Sequence, residues 1–77
     1  MELNYITTKE LLEKVTSNPK KWVEARLRFG NISATHFLIF YDEKLFDEGI
    51  DGEQREISIS DFFKHYKNAF WQVDNIV

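Results

Sequence analysis

The chain of 77 residues offers few side chains with chemistry of their own. Its only histidines are His36 and His65. His36 enters an apolar stretch, whereas His65 stands one helical turn from Asp61. Nothing in the spacing brings the two together. A histidine becomes a catalytic base when a nucleophile and an orienting group accompany it. No such pattern is present, so His36 reads as a partly buried structural residue and His65 as a surface one. No Gly-rich phosphate loop, nucleophile elbow or His-Glu-x-x-His occurs. The expectation is therefore no catalytic residue, no cofactor and no metal.

Carboxylates are the most concentrated chemistry. Asp42, Glu43, Asp47, Glu48, Asp51, Glu53 and Glu56 crowd one segment, with only Lys44 and Arg55 against them. A calcium loop needs oxygen ligands at alternate positions around a central glycine. Here Asp47-Glu48-Gly49-Ile50-Asp51-Gly52 puts Gly49 where a ligand belongs. The plain reading is a solvated hairpin whose charges protect a sheet edge. The sharper one is a row of carboxylates that imitates nucleic-acid phosphates and docks in a basic cleft.

Trp22, Arg26 and Arg28 combine a ring with two bases, the ingredients of a single-strand stacking platform. Glu24 sits among them, and the formal net charge of −3 disfavours general affinity for phosphates. Near the C-terminus, Phe63 and Trp71 are the aromatic candidates for a partner-docking patch or a dimer seam.

The elements that must carry these residues can be read from the same sequence. Thr7 and Glu10 have capping-box spacing, with Ile6 and Leu11 placed for a hydrophobic staple. Leu11, Leu12 and Val15 then mark a helical stripe that Ser17-Asn18-Pro19 stops. Trp22 to Phe29 alternates as a half-buried strand, and Gly30-Asn31 turns the chain. The apolar run from His36 to Tyr41 suits a central strand buried on much of both faces. Asp42-Glu43-Lys44 turns, Leu45-Phe46 begins a short strand, and Asp51-Gly52 turns again. Arg55 to Ile59 alternates, and Ser60-Asp61 stands where a second helix would be capped. Phe62, Phe63, Tyr66, Ala69 and Phe70 follow at helical spacing, and Trp71 to Val77 alternates as a last strand.

The fold expected for residues 1–77 is a single α+β domain in the order α-β-β-β-α-β. A small antiparallel sheet of three to five strands carries two helices on one face, leaving the other partly open to water. A chain this short is marginal without a ring-rich core, and this one has seven Phe, three Tyr and two Trp. With no cysteine, disulfides and thiolate metal sites are excluded and a reducing cytoplasm is favoured. No stretch is apolar for long enough to span a membrane as a helix, and the N-terminus has no signal-peptide pattern.

The composition resembles that of small accessory proteins of bacteria and their phages. The resemblance is one of style and assigns no residue. The function expected is a non-enzymatic module that docks on another protein or on itself through Asp42, Glu43, Asp47, Glu48, Asp51, Glu53, Phe63 and Trp71. The alternatives are an acidic nucleic-acid-mimicking inhibitor and a weak single-stranded nucleic-acid binder.

Overall fold

The computed structural model describes residues 5–49 and 52–77. The elements in chain order are β1 (Ile6–Thr7), α1 (Thr8–Ser17), β2 (Val23–Phe29), β3 (Ile32–Tyr41), β4 (Lys44–Glu48), β5 (Gln54–Ile57), α2 (Ile59–His65) and β6 (Phe70–Ile76). They build one six-stranded sheet in the order β1-β6-β2-β3-β4-β5, antiparallel throughout.

This corrects the expected three to five strands and the order α-β-β-β-α-β. Four strands, not three, separate the helices, and a further strand precedes the first one. The added β1 is two residues long. It exists because Ile6 and Thr7 reach Trp71 and Phe70 of β6, a pairing more than sixty residues away in sequence.

Helix α1 starts at a complete capping box. The Glu10 N–H donates to the Thr7 hydroxyl at 3.2 Å, and the Thr7 N–H donates to the Glu10 carboxylate at 3.0 Å. Helix α2 begins two residues earlier than Ser60-Asp61 suggested. Its cap is Ser58, whose hydroxyl accepts from the Asp61 N–H at 3.0 Å. It also stops earlier, with Tyr66 as its C-cap, so Phe70 belongs to β6 instead of the helix. The aromatic spacing that suggested a longer helix runs across a change of element.

Tight hairpins fix the sheet's register. Phe29 pairs with Ile32 across Gly30-Asn31, and Gly30 has φ +61. A positive φ at the first turn position is what a two-residue hairpin of this hand requires, and glycine adopts it without strain. Tyr41 pairs with Lys44 across Asp42 and Glu43, whose φ values are +53 and +59. Here the left-handed geometry falls on residues that carry a Cβ.

Residues directly opposite in antiparallel strands share a face. Val23, Ala25, Leu27, Leu38, Leu45 and Trp71 therefore point together, and both helices close over them. Leu11, Leu12 and Val15 of α1 and Phe62 of α2 join the same buried cluster. Trp71 is fully buried. Its indole N–H donates to the Thr8 hydroxyl at 2.9 Å, and that hydroxyl donates to the Tyr66 carbonyl at 2.6 Å. One buried threonine thus ties α1, the end of α2 and β6 together.

Candidate functional site

The opposite face of the sheet has no covering layer among the described residues. Both helices lie on the core side, so every residue of alternate parity in β2, β3 and β4 looks outward. Register brings Trp22, Phe37, Ile39, Tyr41 and Phe46 together there. Phe46 stands opposite Ile39. Trp22 extends β2 by exchanging backbone hydrogen bonds with Val77 at 2.8 and 2.9 Å. Tyr41 and Phe46 stack with their rings 4.9 Å apart and 21° from parallel.

None of these five residues belongs to the core cluster. Ile39 is nevertheless only 8% exposed, so side chains of its own face cover it. The result is a second, smaller apolar assembly that water reaches from one side. Phe37, Phe46 and Trp22 are half-buried and Tyr41 is exposed.

The margins of this strip are charged. On β2, Arg26 donates to the Asp74 carboxylate at 3.0 Å. The Arg28 guanidinium lies 5.9 Å from the centre of the Tyr5 ring, beside Phe70, which is 52% exposed. On the other side, Glu48 stands opposite Phe37 and Glu56 opposite Phe46.

The acids expected to act as one surface are divided. Asp42 and Glu43 occupy the β3–β4 turn. Glu48 and Glu56 share the open face, whereas Asp47 lies on the helix side opposite Leu38. Exposed Glu53 accepts from the Arg55 guanidinium at 2.8 Å. Asp51 lies outside the described residues. Of the two aromatic candidates, Phe63 is exposed beside Ile59 in a groove against Leu12 of α1. Trp71 is interior and cannot touch a partner, because alternation along β6 sends it to the core and its neighbour Phe70 outward.

Asp47 has a partner that the sequence did not suggest. The His36 Nδ1–H donates to its carboxylate, with distances of 2.9 and 3.0 Å to the two oxygens. The pair is diagonal across the β3–β4 ladder, since His36 and Leu38 point to the same side. The His36 ring meets Tyr66 and Trp71 edge-on at 5.7 and 5.4 Å. His36, Asp47 and Tyr66, with Gly49, Glu53 and Arg55, line a cleft of about 150 Å³. Burial raises the Tyr66 phenol above its ordinary value, and the Asp47 charge adds to the effect. Exposed His65 also meets the Tyr66 ring edge-on, with centroids 4.6 Å apart.

Among the described residues no group of three or more His, Cys, Asp or Glu is gathered as metal ligands would be. None of their helices is long and apolar enough to cross a membrane. No protein-family model, curated protein or solved structure matches the chain.

The open-face strip was not foreseen as a site. The apolar run that holds Phe37, Ile39 and Tyr41 suggests a strand buried on much of both faces, whereas the structure leaves Tyr41 exposed and Phe37 half-buried. The signal that would have found them is a count of covering elements: two short helices can cover one face of a sheet, so half of an apolar strand must stay outside.

Proposed function

We propose that this protein is a non-enzymatic docking module whose contact surface is the open face of its sheet. The observation that carries the proposal is the strip of Trp22, Phe37, Ile39, Tyr41 and Phe46, assembled outside the core and left without a covering layer among the described residues. Contiguous apolar patches rimmed by polar groups mark protein-binding surfaces. Such surfaces have an aromatic, charge-depleted centre and a charged margin. The strip has that composition, with Glu24, Arg26, Lys44, Glu48 and Glu56 around it. The contact surface thereby moves away from the acidic turn and from Trp71. A cysteine-free chain suits a cytoplasmic partner.

The geometry favours neither alternative. A phosphate mimic needs its carboxylates in a row on one surface, and these point to different sides. A stacking platform needs its ring and bases together. Trp22 and Arg28 stand at opposite ends of one strand, about 20 Å apart, and Arg26 is already paired with Asp74.

The test is capture of binding protein by the immobilised domain, with Phe37→Ser/Phe46→Ser on the open face and Phe63→Ser in the helix groove. Capture is expected to vanish with the first variant and to survive the second. Retention by the open-face variant, with its circular dichroism unchanged, would remove the proposal.

A further inference from the structure

We draw no further inference here: the strongest candidate, the cleft of His36, Asp47 and Tyr66 at the end of α2, has its histidine, acids and arginine already paired within the chain, His36 with Asp47 and Arg55 with Glu53, and nothing in the structure shows what ligand would enter it.

Discussion

The two faces of the sheet are made from the same strands and meet different fates. Along β2, Val23, Ala25 and Leu27 are buried beneath the helices, while Glu24, Arg26 and Arg28 alternate with them on the far side. Along β3 the contrast is less clean. Leu38 and Phe40 face the core, yet Phe37, Ile39 and Tyr41 on the opposite side are no more polar. A strand whose open side only met water would carry polar residues there. The core face is closed by groups the chain itself supplies. The outer face keeps an apolar strip that the described residues only partly cover. That difference separates residues that hold the fold from residues that the core does not enclose.

The comparison can be broken first at its strongest point. Trp71→Ala should cost about 3–5 kcal/mol in urea unfolding, because it empties a large core site and leaves Thr8 without its indole donor. Phe46→Ser on the open face should cost only about 1 kcal/mol, mostly lost stacking on Tyr41. Equal losses would mean that the open strip is a second core. Next in size is Asp47→Ala, which leaves the half-buried His36 without its acceptor and should cost about 1–3 kcal/mol. A neutral result would make the His36–Asp47 pair a surface ornament.

A smaller effect of opposite sign is expected at the β3–β4 turn. Glu43→Gly should raise stability by about 0.5–1 kcal/mol, since glycine takes the positive φ without a Cβ penalty. Unchanged or reduced stability in thermal melts would show that the turn is not strained.

Two pH slopes complete the set. The Thr7 backbone N–H and hydroxyl hold Glu10 below the usual carboxylate range. Its contribution is present above the unfolded value and is lost as pH falls through the folded one. The acid limb of a stability–pH profile should flatten in Glu10→Gln. The Tyr66 phenol is raised, so its contribution is present below the ordinary phenol value and is lost as pH rises past it. Tyr66→Phe should flatten the alkaline limb. Unaltered limbs would count against both assignments.

Much of the fold was legible where the cause is local. The capping box at Thr7 and Glu10 acts across three residues, and the alternation of Trp22 to Phe29 is a property of one strand. Hairpin turns at Gly30-Asn31 and Asp42-Glu43 are set by neighbouring residues. Tertiary pairing decides where elements meet. Phe70 has the spacing of a helical residue after Phe62 and Tyr66, but strand pairing with Arg28 claims it. Ser58, not Ser60, caps α2 because β5 ends at Ile57.

The sequence by itself determined the kinds of element and a supply of rings large enough for a core, because these follow from side-chain period and turn chemistry. Tertiary structure alone decided that Ile6–Thr7 becomes an edge strand, that Asp47 meets His36, and that Trp71 is interior while Tyr41 and Phe46 are not. The reason is that periodicity tells which residues share a side. Only the packing of α1 and α2 tells which side is covered.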